Sequence, residues 1–352
     1  MQYSELAGWL PRVEEELARS YLEEGRRSPD FQAYTTLLQE FSTRGGKRLR
    51  ALLVLAGYHL ATGGDPAPAL PAAAAMEHFQ DWMLIHDDII DHAETRRGGP
   101  AVHLLLEREH VRLHRSGSKA EYGIGMGITL GDLEEPYTIR AFLASDAPPD
   151  RRVAALSEYV RMTADTAYGQ LLDIRLSGLP IAKVEEEDVL TVHRLKSAIY
   201  SVASPLRIGA LLGGGSSELL DLLEAAGIGI GIAFQLRDDV IGAGLGSSGA
   251  EKSANDLAEG KRTLLLVRAW RLSAPAERRA LEREIARARR SVRAVRALQK
   301  RIRSTGSLAH SERLIEQLSA RALQAVQSSA AIDAAGRRLL SELADRLVRR
   351  SR

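Results

Sequence analysis

The chain has 352 residues, with 48 lysines and arginines against 46 aspartates and glutamates, a formal charge of +2 and no cysteine. That length is ample for a substantial core, and the near-balance of charge excludes a general polyanion binder whose whole surface is basic. Without cysteine there are no disulfides, thiolate metal sites or cysteine nucleophiles, so any metal must be held by oxygen or imidazole, and the composition fits a reducing, cytoplasmic setting.

The N-terminal stretch MQYSELAGWLPRVEEELARSYLEEG carries acids and a helical rhythm where a signal peptide would have a basic segment followed by an apolar one. Apolar residues recur at three- and four-residue spacing through 5–22, 50–61, 151–175, 187–213, 217–237 and 308–347. These segments predict an all-α, many-helix fold, and no convincing period-two strand competes with them. The breakers GGDPAP, RRGGP, ASDAPPD, LLGGGSS and GAGLGSSG fall between periodic segments as turns and helix ends. The gaps are short and hold no long low-complexity linker, so one domain over 1–352 is the economical reading. Runs such as LPAAAAM and AAGIGIGIAF fall short of the roughly eighteen apolar residues a bilayer requires, and no membrane span is expected. Segment 285–311 has eight lysines or arginines and no acid. Lacking interleaved aromatic residues to stack bases, it reads as a solvated helix face, and no nucleic-acid partner is expected.

The chemistry concentrates in DWMLIHDDIIDHAETRRGG, residues 81–99. Asp87 and Asp91 are four apart, so a helix projects both carboxylates from one face, with Asp88 beside them. Three carboxylates on one turn repel one another, and a divalent cation preferring hard oxygen relieves the repulsion. Magnesium suits, because it takes one or two carboxylates and keeps positions for water and phosphate. A second pair, Asp238 and Asp239, lies in GIAFQLRDDVIG. Either motif alone reads equally well as a solvated or arginine-paired helix turn; together they point to metal. Cationic groups accompany both: Lys47, Arg48 and Arg50 in GGKRLR, Arg96 and Arg97 in TRRGG, and Lys252, Lys261 and Arg262 in EKSANDLAEGKRT. Arg96 and Arg97 also read as charge compensation at a helix C-terminus beside Gly98 and Gly99. A carboxylate-held magnesium cluster facing arginine forks and lysine charges is what a diphosphate requires.

In these residues the chain resembles the head-to-tail isoprenyl (polyprenyl) diphosphate synthase family. The matching pieces run in order from about residue 40 to 265: GGKRLR, DDIID followed by TRRGGPAVH, GQLLD, LKSAIY, GIAFQLRDD and DLAEGKRT. The resemblance implies a single-domain helical bundle around a deep central cavity, working as a homodimer. It implies three magnesium ions, with Asp87 and Asp91 binding two that bridge an allylic diphosphate, Asp238 holding a third from across the cavity, and Asp88 and Asp239 in support. Arg96, Lys196, Lys252 and Lys261 would meet the allylic diphosphate, while Lys47, Arg50, Arg97 and Gln80 would bind isopentenyl diphosphate. The alkene of isopentenyl diphosphate would attack an allylic carbocation, Gln235 and Ser197 would steady that cation, and the proton would leave to the released diphosphate.

Three departures from the family pattern stand out. Gly242 replaces a third aspartate in the second motif, Ser197 replaces the more usual threonine, and the interval from His103 to Leu130 is longer than typical and glycine-rich towards its end. Product length is expected to depend on Trp82 and Met83, five and four residues before Asp87, with Phe79 or Met76 as an alternative floor. An aromatic residue at the fifth upstream place resembles geranylgeranyl diphosphate synthases, and two bulky residues there resemble farnesyl diphosphate synthases. The expected product is therefore twenty carbons, next fifteen. A class I terpene cyclase and a catalytically weak partner subunit are the alternatives. The first has no use for a second diphosphate site, and the second could lose its metal ligands freely.

Overall fold

Caps and breakers divide the helices more finely than the apolar rhythm does in the computed structural model, which describes residues 1–246 and 254–349; Lys252 lies outside them. The segment expected over 5–22 is two helices, Tyr3–Ala7 and Leu10–Arg27. Pro11 sits in the first turn of the second, where a missing N–H leaves no intrahelical bond unmade. The segment over 308–347 is likewise two, Ser307–Ser328 and Ala334–Val348, and the latter is capped by the Asp333 carboxylate accepting from Gly336 N at 2.7 Å. Over 187–213 the elements are Glu186–Val192, His193–Ala203, which widens to a five-residue hydrogen-bond repeat, and Ser204–Gly213. The interval after His103 is the helix Val102–Arg112 and the start of Lys119–Leu143. Among the described residues, extended structure is confined to a two-residue antiparallel ladder, Thr95–Arg96 with Gly99–Pro100.

The chain divides into two compact units. One comprises Tyr3–Ser157 with Pro205–Gly215. Its axis is Leu70–Ile90, packed against Lys119–Leu143, Leu49–Thr62 and Leu10–Arg27. The AAAAM run is wholly buried, so this helix meets neighbours on all sides with small side chains, and Phe79 and Ile85 continue the buried surface towards the aspartates. Leu17, Tyr21, Leu38, Phe41, Leu106 and Leu130 complete the core, each large apolar side chain contributing about 1.5–3 kcal/mol by leaving water.

The other unit comprises Glu158–Ser204 with Ser216–Arg352. Its axis, Ser217–Gly242, starts with Ser216 accepting from Leu219 N at 3.3 Å and packs against His193–Ala203, Ser307–Ser328 and Ala334–Val348. By length and composition this helix could cross a bilayer, although its uninterrupted apolar runs are short, because Leu, Ile and Ala raise its average across the interrupting Asp221 and Glu224. It serves instead as a core helix: Leu223, Ala233, Leu236 and Val240 are buried among its neighbours, and it carries Asp238 and Asp239.

Candidate active site

Both aspartate sets occupy the last turn of a long helix. Leu70–Ile90 ends at Asp91, whose N–H bonds the Asp87 carbonyl at 2.8 Å, and Ser217–Gly242 ends four residues after Asp238. Neither helix has a basic residue in its last turn. The C-terminus of a helix carries the negative end of its macrodipole and ordinarily favours cations. Stacking carboxylates there creates a demand that the helix itself does not meet.

At the first set, Asp87 is half-buried, Asp91 exposed and Asp88 fully buried. Arg96 donates from both Nε, at 2.8 Å, and Nη2 to the single oxygen Asp88 Oδ1. This is the charge compensation that the sequence left open. Asp88 Oδ2 is buried without a hydrogen-bond partner, and burial pushes the Asp88 carboxyl up while Arg96 opposes the shift. Arg97 turns the other way, its Nη1 donating to Asp81 Oδ1 at 3.0 Å and to the carbonyl of Ser42 at 3.1 Å. Arg48, grouped by sequence with the anion-binding cations, is a structural residue. It is 3% exposed, with Nη1 on Glu77 Oε2 at 2.9 Å and Nη2 on the Ser42 carbonyl at 2.7 Å. Lys47 beside it is exposed, Arg50 is half-buried and Gln80 is buried.

Going round the helix from Asp87 at about 100° per residue, Gln80 and Met83 fall within about 40° of it, whereas Trp82 lies about 140° away. Trp82 packs edge-on against Phe79 and His86, centroids 5.9 and 6.2 Å away, and its buried Nε1 lacks a partner. Met83 therefore stands under the aspartates, and Trp82 forms the flank with the buried Phe79.

Of the second set, Asp238 is half-buried and Asp239 borders a cavity of about 130 Å³ whose lining includes Lys196, Ser197, Gln235, Lys261 and Arg262. Asp239 is 5% exposed. Its Oδ1 accepts from Gln235 Nε2 at 3.1 Å, and His193 Nε2 stands 3.1 Å from Oδ2 without the alignment of a hydrogen bond. With its amide nitrogen taken, Gln235 presents its carbonyl oxygen as the end able to face a cation. Lys196 Nζ is 2.7 Å from Asp173 Oδ2, and Lys261 Nζ lies 3.6 Å from Asp256 and 3.0 Å from Glu259. Asp173, His193 and Asp256 also line the cavity, and the residue-by-residue expectations omitted them. The pattern HRLK, placing His193 and Lys196 three apart on one helix face, is the signal that could have found His193.

Gly242 is accounted for here. A Cβ at 242 would lie 1.9 Å from Asp256 Oδ2, so a carboxylate delivered by the Asn255–Glu259 helix fills the space beside the second motif. Burial raises the Asp256 carboxyl to about 6 against the pull of Lys261.

The donor chemistry fits magnesium. Hard carboxylates are available, a buried Asp88 oxygen lacks a partner, and among the described residues no three acidic or imidazole groups converge as a ready-made cage. Magnesium bound through one or two carboxylates completes its octahedron with water and substrate phosphate, which is what such incomplete ligand sets allow.

Comparison with known proteins decides the family. A model of the polyprenyl synthetase family matches residues 31–302. The chain belongs to the polyprenyl synthetase family. It is 34% identical over 242 residues to a short chain isoprenyl diphosphate synthase of Methanothermobacter thermautotrophicus, covering 68% of this chain and 67% of that one. It is 30% identical over 255 residues to a geranylgeranyl pyrophosphate synthase of Geoglobus acetivorans, covering 72% and 73%. A geranylgeranyl pyrophosphate synthase from Corynebacterium glutamicum, solved with isoprenyl diphosphate and magnesium, superposes with a TM-score of 0.89 at 32% identity over 98% of this chain and 99% of that one. As a member of the polyprenyl synthetase family, the protein is a short-chain prenyltransferase.

Proposed function

We propose that this prenyltransferase condenses isopentenyl diphosphate with an allylic diphosphate and releases geranylgeranyl diphosphate, with farnesyl diphosphate as the shorter alternative. The carrying observation is the pair of aspartate sets, each at the negative end of a helix with no basic residue in its last turn. Asp87, Asp91 and Asp238 would hold magnesium, three ions on this reading, with Asp88 and Asp239 in support. Magnesium, when bound, neutralises the diphosphate and makes it a better leaving group.

The chain's own residues do the rest. Arg96, Lys196, Lys261 and Lys252 bind the allylic diphosphate, and Lys47, Arg50, Arg97 and Gln80 bind and orient isopentenyl diphosphate. Ser197 and the Gln235 carbonyl oxygen steady the allylic cation as its bond to diphosphate breaks; the alkene then attacks, and a proton leaves to the released diphosphate. Met83, Trp82 and Phe79 limit the length of the prenyl tail. A terpene cyclase would need no second diphosphate site, and the intact aspartates disfavour an inactive subunit. The family match runs through both compact units, which supports one synthase domain over 1–352.

The helix Pro149–Ser177 exposes Val160 and Leu171 on one stripe, flanked by exposed Tyr168 and Ile174. A second copy of the chain covering that stripe makes the protein a homodimer. The test is incubation of purified protein with isopentenyl diphosphate, magnesium and dimethylallyl, geranyl or farnesyl diphosphate in turn, with products identified by chromatography. A twenty-carbon product is expected, and no elongated product from any starter overturns the reading.

A further inference from the structure

We infer that Asp81 is the positioning residue of the isopentenyl diphosphate site, fixing the Arg97 fork from within the core. This rests on the assignment of Arg97 to that site.

The hairpin that follows the first aspartate motif turns through Arg97 and Gly98, both at positive φ, 50° and 74°. A two-residue turn of this kind suits Asn, Asp or Gly at its first central position, and an arginine there is strained. The strain persists because the side chain is anchored. Arg97 Nη1 meets Asp81 Oδ1 at 3.0 Å and the carbonyls of Ser42 and Phe41 at 3.1 and 3.4 Å, and the guanidinium lies over the Phe41 ring, 5.7 Å from its centroid. All of these hydrogen bonds use one nitrogen, which directs the rest of the fork away from the core and towards Gly46 in the GGKRLR loop.

The arrangement is repeated one helical turn earlier. Arg48 also has positive φ, 47°, and bonds Glu77, four residues before Asp81 on the same helix face. The Ser42 carbonyl accepts from both arginines, so the loop and the hairpin are tied at one point. Arg48, at 3% exposure, is buried by its tie; Arg97, with 15% of its side chain exposed, keeps a surface that a ligand can reach. Asp81 is completely buried, and a carboxylate taken so far from water needs a reason. Its charged and titratable neighbours are Arg97 on the hairpin, Arg48 in the GGKRLR loop, Glu134 on Lys119–Leu143, and Glu77 and His78 on its own helix, with the Tyr21 hydroxyl 3.5 Å from Oδ2. Fixing a diphosphate-binding fork explains why it is kept there.

The test is steady-state kinetics on Asp81→Asn, which keeps the shape and removes the charge. Loss of a charge-assisted hydrogen bond that orients the fork raises KM for isopentenyl diphosphate about tenfold, with kcat and KM for the allylic diphosphate within about twofold of wild type. On an Arg97→Ala background the same substitution adds no further rise, because Asp81 acts through Arg97. Asp81→Thr, smaller and neutral, is the second variant should the buried amide prevent folding, and the same split is expected. An unchanged KM for isopentenyl diphosphate, or equal changes for both substrates, overturns the inference while wild-type elongation stands. Absence of elongation by the wild type would instead remove the reading on which the inference rests.

Discussion

At the end of Leu70–Ile90 the buried aspartate, Asp88, grips an arginine fork, whereas at the end of Ser217–Gly242 its counterpart, Asp239, takes the amide of Gln235 and sits beside a histidine. The cations differ accordingly. Around the first set they are guanidiniums tied by carboxylates and backbone carbonyls, Arg96 to Asp88 and Arg97 to Asp81 and Ser42. Around the second, lysines carry the ion pairs, Lys196 at Asp173 and Lys261 at Asp256 and Glu259, and the one fork lining that cavity among the described residues, Arg262, is tied to the carbonyls of Leu179 and Gly260. A planar fork holds its direction once one edge is bonded, while an ammonium on a four-carbon stem can turn from a carboxylate to a phosphate. The cations of the first region are thus fixed in direction, and the lysines of the second keep more rotational freedom.

The comparison breaks most simply if one set does not serve catalysis. Asp87→Ala and Asp238→Ala are each expected to lower kcat by about 10²–10³-fold, the size of losing one electrostatic contact to a developing anion. Near-wild-type turnover by either variant would leave that set without a metal role. The next effect is on stability. Gly242→Asp restores the third aspartate of the family pattern but drives its side chain into Asp256, at a cost of about 1–3 kcal/mol from overpacking and like charge. Asp256→Ala in the same chain should recover most of that in a thermal melt. A single variant as stable as wild type would show that Asp256 does not hold this space.

A smaller effect separates the two candidates for the pocket floor. Met83 shares the face of Asp87, and Trp82 stands on the flank against Phe79 and His86. Met83→Ala is expected to lengthen the product by one five-carbon unit, and Trp82→Ala to do so less completely. Chromatography of the chain-length distribution checks both, and a longer product from Trp82→Ala alone would put the floor on the flank.

The helices and the aspartate sets were legible because their signals are local. An i,i+4 pair such as Asp87 and Asp91 and the alternation of acidic and basic clusters need no tertiary knowledge. Helix ends were less so: the break after Ala7 and the cap at Asp333 depend on single residues inside a continuing apolar rhythm. What sequence could not show is which carboxylate meets which cation. Asp81 and Arg97 are sixteen apart, Arg48 and Glu77 twenty-nine, and Asp173 and Lys196 twenty-three. Nothing in GGKRLR distinguishes the buried Arg48 from its exposed neighbour Lys47. The role of Asp256 beside Gly242 was hidden for the same reason, since a vacancy in one segment is filled from another.

The smallest expected effect tests how the first region tolerates its buried charge. Asp81 is raised to about 6, chiefly by burial, with Arg97 opposing and Glu134 and Glu77 adding to the rise. His78, also fully buried, is lowered to about 4 by burial despite Asp81, Glu77 and Glu24, while its Nδ1 lies 2.6 Å from Glu134 Oε2 and Tyr21 donates to Glu134 Oε1 at 2.8 Å. The two shifts act in opposite directions. A raised carboxyl contributes stability that is fully present below its unfolded value near 3.8 and is lost as pH rises through about 6. A lowered imidazole contributes stability that is present above 6.5 and is lost as pH falls through about 4. Between pH 4 and 6 the gain from Asp81 on acidification, in the same direction as that from Glu134, whose carboxyl is also pushed up by burial, offsets the loss from His78. Asp81→Asn removes the first and keeps the second, so its Tm should fall more steeply than that of wild type from pH 6 to pH 4, by a few degrees. At pH 7 the variant should melt no lower than wild type, because the amide needs no charge taken out of water. Calorimetric melts across that range check both points, and parallel curves would show that Asp81 is not the group titrating against His78.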